Sequence, residues 1–175
     1  MASELRVDRI VPTTGVPTGG GGSIIQMKSV TKTDTYSTTS TSYTDVTDLT
    51  LSITPKEITN KILVSYNLTC GTEDSGYQWG IRLMRDSTTI FVGDAAGSRD
   101  RVSNFVRNNG SDLHTVYPSG QHLDSPSTTS SVTYKLQVVA YTSGRALYVN
   151  RVHNDSDDAA VGRSASSLTV MEVSA

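Results

Sequence analysis

The chain has 175 residues and a net charge of -2, from 15 Lys plus Arg against 17 Asp plus Glu; that length suits one compact domain, and without a basic stretch to follow a phosphate backbone no nucleic-acid partner is expected. Cys70 is the single cysteine, which excludes an intrachain disulfide and a multi-cysteine metal site. No stretch approaches the ~18 apolar residues of a membrane span, so no membrane insertion is expected.

The opening Met-Ala-Ser-Glu-Leu-Arg has no apolar run behind it, and the expectation is a soluble protein made in a cytoplasm. Leu5, Val7, Ile10 and Val11 alternate weakly before Pro12, and Val16 and Pro17 follow among turn formers. Such a segment cannot build a core, so it reads as an extended arm that orders against a neighbouring subunit or a docking surface. Four glycines and Ser23 come next. They read as a linker rather than a close backbone approach, and no Gly-Lys-Ser/Thr follows that would make a phosphate loop. Residues 1–23 are therefore expected to be arm and linker, and residues 24–175 the folded domain.

Strand character begins with Ile24 and Ile25. Residues 31–47 are mostly Thr and Ser with Tyr36 and Tyr43 among them, too polar for a central strand and suited to edge strands or a long loop. Leu49, Leu51 and Ile53 alternate and stop at Pro55. Ile62, Val64, Tyr66 and Leu68 repeat the pattern, residues 71–76 read as a turn, and Tyr77, Trp79, Ile81 and Leu83 form another strand. Trp79 reads as core; exposed beside Tyr77 it would instead be a stacking platform for sugar rings. After a turn at residues 85–87, residues 89–92 make a short strand.

Residues 98–121 are the least periodic and read as one or two short strands inside a long excursion. This is the candidate receptor-facing loop, with Arg99, Arg101, Asn108, His114 and Tyr117, and a plain packing excursion is the competing reading. Residues 131–141 carry the cleanest period of two, with Val132, Tyr134, Leu136, Val138 and Ala140 on one face and Thr133, Lys135 and Gln137 on the other. The following Thr142-Ser143-Gly144 predicts a hairpin into a strand with Leu147 and Val149. Residues 167–173 place Leu168 and Val170 with Glu172 on one face, and Thr169, Met171 and Val173 on the other. Apolar groups on both faces predict a central strand or one at an interface. Eight to ten short strands at this spacing predict an antiparallel sandwich or jelly roll.

Chemistry is weakly signalled. His114, His122 and His153 share no metal-ligand spacing, and Asp155, Asp157 and Asp158 lack the loop glycine and closing glutamate of a calcium loop, which leaves a solvated acidic turn. No Gly-x-Ser-x-Gly elbow is present, and Glu57, Glu73 and Asp74 lie in predicted turns. No enzyme activity, metal or cofactor is expected.

The segment from Leu5 through Arg6, Val7, Asp8, Arg9, Ile10, Val11 and Pro12 to Pro17, the polyglycine, and Ile24-Ile25-Gln26 resemble the opening of virion structural proteins of tailed bacteriophages, above all those of marine cyanobacterial phages. The phrases Leu51-Ser52-Ile53-Thr54-Pro55, Lys61-Ile62-Leu63-Val64, Arg85-Asp86-Ser87, Asp124-Ser125-Pro126, Tyr148-Val149-Asn150-Arg151 and Ser167 through Val173 continue the resemblance in order. Such domains are similar to the jelly rolls of the complement C1q and tumour necrosis factor class. The resemblance implies a homotrimeric fibre or knob in the virion, made in a host bacterial cytoplasm and joined to other tail or capsid proteins by the N-terminal arm. Its outer loops would face a host surface glycan or protein, and Leu168, Val170, Met171 and Val173 would lie at the trimer interface. The long shaft of a tail fibre is missing between arm and first strand, so a capsid decoration or head-fibre protein without a receptor role is the alternative.

Overall fold

Burial alternates along residues 132–138 as their period demands: Val132, Tyr134, Leu136 and Val138 are buried, and Thr133, Lys135 and Gln137 are half-buried on the opposite face, before Val139 and Ala140 are both buried. The computed structural model describes residues 22–73, 76–107 and 113–175, which hold thirteen strands and no helix. In chain order these are β1 (Ile24–Lys32), β2 (Tyr36–Thr38), β3 (Thr44–Ile53), β4 (Lys61–Asn67), β5 (Cys70–Thr72), β6 (Gln78–Arg85) and β7 (Thr88–Ile90). They continue with β8 (Asn104–Arg107), β9 (Thr115–Val116), β10 (Ser119–Asp124), β11 (Val132–Ala140), β12 (Leu147–Val149) and β13 (Ser166–Val173).

The first sheet has the order β1-β13-β4-β10, and the second the order β3-β11-β6, with β7 and β8 sharing the far side of β6. Along the chain the long strands nest: β1 pairs with β13, β3 with β11, β4 with β10 and β6 with β8, each antiparallel. A ribbon paired outside-in and folded into two facing sheets is a jelly roll. A third sheet, β2-β12-β5-β9, continues the first. There β2 follows β1, β5 follows β4, β9 precedes β10, and β12 stands in the column of β13.

The core lies between the two main sheets and includes Val46, Ile62, Val64, Trp79, Ile81, Leu83, Tyr134, Leu136, Leu168 and Val170. Each large side chain buried there stabilises by roughly 1.5–3 kcal/mol. The polar residues 31–47 supply β2 and the start of β3, both at sheet edges, where solvated hydroxyls are tolerated. β13 is central, between β1 and β4, with Ser166, Leu168, Val170 and Glu172 buried and Ser167, Thr169, Met171 and Val173 half-buried.

Two expectations are corrected. The predicted hairpin after residue 141 does not form: β11 lies between β3 and β6, while β12 pairs with β2 and β5 in the other layer. The chain crosses the sandwich there because Leu147, Tyr148 and Val149 are all buried, and a hairpin partner of β11 would leave one face wet. Nor are residues 71–76 a turn throughout, since Gly71 lies within β5. An added Cβ on Gly71 would sit 2.2 Å from the Arg151 carbonyl oxygen, so this glycine allows a close backbone approach.

Candidate functional site

Two surfaces of the sandwich are unusual for solvent-facing sheet. The first is the outer face of β1-β13-β4-β10. Cross-strand pairing places Met27 beside Met171, Met171 beside Leu63, and Leu63 beside Leu123, so one apolar row runs across all four strands. Ile24 pairs with Val173 in the neighbouring row. Met27, Ile24 and Leu123 are 60%, 61% and 48% exposed. On the other flank the face turns to small polar side chains, with Ser29, Thr169, Ser65 and Gln121 in one row and Ser29 Oγ 2.8 Å from Thr169 Oγ1. The apolar rows lie at the end where the described chain starts: Gly22 N–H donates to the Ser174 carbonyl at 3.1 Å.

The second surface is a groove of about 550 Å3 on the outer face of the other sheet. Gln78, Asp100, Phe105 and Tyr141 are among its lining residues, and beside it alternation points Trp79 and Ile81 inward and leaves a gap at Gly80. Tyr141 and Tyr43 hydroxyls fill that gap, 2.4 and 2.8 Å from where a Gly80 Cβ would stand. Both hydroxyls donate to Asp100 Oδ2, at 2.6 Å from Tyr43 and 2.8 Å from Tyr141. Arg82 donates to Asp100 Oδ1, and its guanidinium lies 3.7 Å from the Tyr43 ring centroid, a favourable cation–π geometry. Burial alone would raise the Asp100 carboxyl, yet the hydrogen bonds from Tyr43 and Tyr141 and the charge of Arg82 hold it below the usual carboxylate value. Burial and the contact with Asp100 push Tyr43 upward. The cluster thus holds one ionised carboxylate and two protonated phenols. Phe105, opposite Gly80 on β8, is 60% exposed and stacks on Tyr141 with ring centroids 6.1 Å apart.

The expected site residues fall on several surfaces. Leu168 and Val170, expected at a trimer interface, are fully buried inside the chain's own core, because alternation along β13 points them inward, and Met171 and Val173 of that group are half-buried on the outer face. Arg99 lines the groove beside Asp100 and Phe105. Arg101 instead donates from Nε to the Gly93 carbonyl at 2.7 Å and ties down its own loop. Tyr117 is 63% exposed and lines a smaller hollow on the other flank of Phe105. His114 is half-buried, with Nδ1 buried and without a hydrogen-bond partner among the described residues. Asn108 and the arm residues Leu5, Val7, Ile10, Val11, Pro12, Val16 and Pro17 lie outside the described residues.

Trp79 is fully buried and serves the core, not a stacking platform. In the acidic turn, Asp155 Oδ2 is 2.7 Å from Arg163 and Asp158 Oδ1 accepts the Ala160 N–H at 2.8 Å. Sequence reading did not single out Met27, Leu63, Leu123, Tyr43, Asp100, Phe105 or Tyr141. Gly80 inside an alternating strand was the one available signal, since such a glycine marks a close approach.

No protein-family model matches the chain, and no curated protein does. Among solved structures it is similar to a chain of infectious bursal disease virus, Gx strain, at 15% identity and a TM-score of 0.43, over 94% of this chain and 42% of that one. T=1 particles derived from infectious bursal virus give 16% identity and a TM-score of 0.43, over 94% and 41%. This chain spans about two fifths of the length of those viral chains. At these TM-scores the likeness carries no function across.

Proposed function

We propose that the chain is a virion structural protein of a tailed bacteriophage, a homotrimeric jelly-roll knob joined to the particle by its N-terminal arm and turning its loops to the host surface. The observation that carries this reading is the apolar row Met27, Met171, Leu63 and Leu123 on the outer face of the first sheet. Second and third copies of the chain are its occupants, arranged around a three-fold axis. The arm supports that choice. Residues 1–21 lead into Gly22 at the end of this face, beside Ile24 and Val173, so three copies packed there would gather their arms at one end of the axis. The nested jelly-roll topology and the ordered phrase resemblance support the virion role.

Covering a large apolar side chain is worth roughly 1.5–3 kcal/mol, and association costs about 4–15 kcal/mol in lost freedom. Assembly therefore needs most of the row. Sedimentation of the purified chain should give a trimer, and the Met27→Lys, Leu123→Lys double variant a folded monomer. A wild-type monomer at micromolar concentration, or a trimer unaffected by both lysines, would refute the interface. Removing residues 1–22 should leave a trimer that no longer joins particles; incorporation of the truncated chain would refute the anchor.

A further inference from the structure

We propose that the groove beside Phe105 binds a hexopyranose unit of a surface glycan. The inference names the ligand class for the host contact in the reading above and rests on it. A pyranose offers an apolar C–H face ringed by hydroxyls, and the groove offers the complement. Phe105 keeps 60% of its surface in water and is braced by Tyr141 beneath a stacking geometry of 26° between planes, so an aromatic face is held rigid and open.

Polar groups surround it at the rim. Among the described residues Asp100 Oδ1 accepts only from Arg82, and a carboxylate oxygen retains a second lone pair for a sugar hydroxyl. Arg99 gives one long bond, 3.4 Å from Nη1 to the Ala96 carbonyl, and a guanidinium has further N–H groups to offer. Gln78, also in the lining, donates its amide to the Gly76 carbonyl at 2.5 Å, and an amide oxygen is an acceptor. Asp100 and Arg82 offset each other's charge, and the groove meets sugar hydroxyls with a carboxylate oxygen, an amide and the Arg99 guanidinium.

The test is saturation-transfer NMR on the full chain with the methyl glycosides of glucose, galactose, mannose and N-acetylglucosamine, and of glucuronic acid. Saturation should reach the ring C–H protons of at least one of these glycosides, and Phe105→Ala should weaken that binding about tenfold with unchanged melting. Tyr117→Ala, across the Phe105 ridge, should bind as the wild type does. No transfer to any of these glycosides, or undiminished binding by Phe105→Ala, would overturn the inference. Adhesion to host cells separates the two readings. Adhesion that Phe105→Ala leaves intact overturns the sugar groove and leaves the host contact standing, while sugar binding without adhesion does the reverse.

Discussion

Asn150 sits at φ 63°, in the left-handed region that asparagine tolerates better than most residues, and is fully buried. Its amide donates to the carbonyls of Lys32 at 2.9 Å and Asp34 at 2.8 Å, and its oxygen accepts from Ser166 Oγ at 2.6 Å. One side chain therefore joins the ends of β1, β12 and β13 where the first sheet passes into the third. Gly71 guards the same junction and Gly80 the groove, but what surrounds them differs. A Cβ at 71 meets backbone, the Arg151 carbonyl at 2.2 Å and Val152 Cα at 2.7 Å, whereas at 80 it meets first the hydroxyl ends of Tyr141 and Tyr43. Side-chain ends can rotate away and a buried backbone cannot. Gly71→Ala should cost at least the ~1–3 kcal/mol of an overpacked core, with Gly80→Ala costing less while releasing both tyrosines from Asp100. Chemical denaturation of the two variants checks the order; equal losses would mean that Tyr43 and Tyr141 are held as rigidly as main chain.

Among the elements, β11 shows how much a period of two decides. Leu136 is fully buried opposite Leu83, while its neighbour Lys135 reaches outward to Asp45 at 2.7 Å. Leu136→Asp should cost several kcal/mol, roughly 3–5 from the lost side chain alone plus the unpaired carboxylate, and leave the domain unfolded. Lys135→Ala removes an exposed pair worth about 0–1 kcal/mol; melting curves that fail to separate these adjacent variants would contradict the inward face. The same local periodicity made β4, β6, β11 and β13 legible, since each has one face in the core. It could not show which strand lies beside which. The hairpin expected after residue 141 failed because turn chemistry was right locally while β12 found its partners, β2 and β5, far back in the chain. The apolar row was hidden for the same reason. Met27 and Leu123 are unremarkable in their own segments, and only the register through Met171 and Leu63 makes them a surface. Likewise Tyr43, Asp100 and Tyr141 come from three separate segments, and nothing in their spacing announces that they meet.

For the molecule as a whole, buried polar groups clasp the sandwich. Asp124, buried on β10, takes Arg85 Nη1 at 2.8 Å and 2.9 Å and the Tyr134 hydroxyl at 2.6 Å, joining the first sheet to two strands of the second. Glu172, fully buried on β13, accepts from Gln26 Nε2 at 2.5 Å, the Lys56 N–H at 2.6 Å and Asn60 Nδ2 at 2.7 Å. Burial by itself would raise this carboxyl, but the hydrogen bonds from Asn60, Gln26 and the Lys56 backbone leave it lowered. Asp45 is also lowered, burial being outweighed by Lys135 and Gln137, as is Asp100. A carboxyl lowered by folding adds stability that is complete above its unfolded value, about 4, and disappears as pH falls through the folded value. The tyrosines act at the other end. Tyr66 is pushed up to about 12 by burial, and Tyr148 to about 12 by burial and the Glu73 carboxylate. Their contribution is complete below about 10 and lost as pH rises through 12. The melting temperature should accordingly be highest between these limits, fall steeply below pH 4 and fall again above pH 10. Glu172→Gln should lower melting at pH 7, because an amide N–H2 would face donors already present, and should flatten the acid limb by removing one titrating group. An acid limb as steep in Glu172→Gln as in the wild type would move the acid sensitivity to other carboxylates.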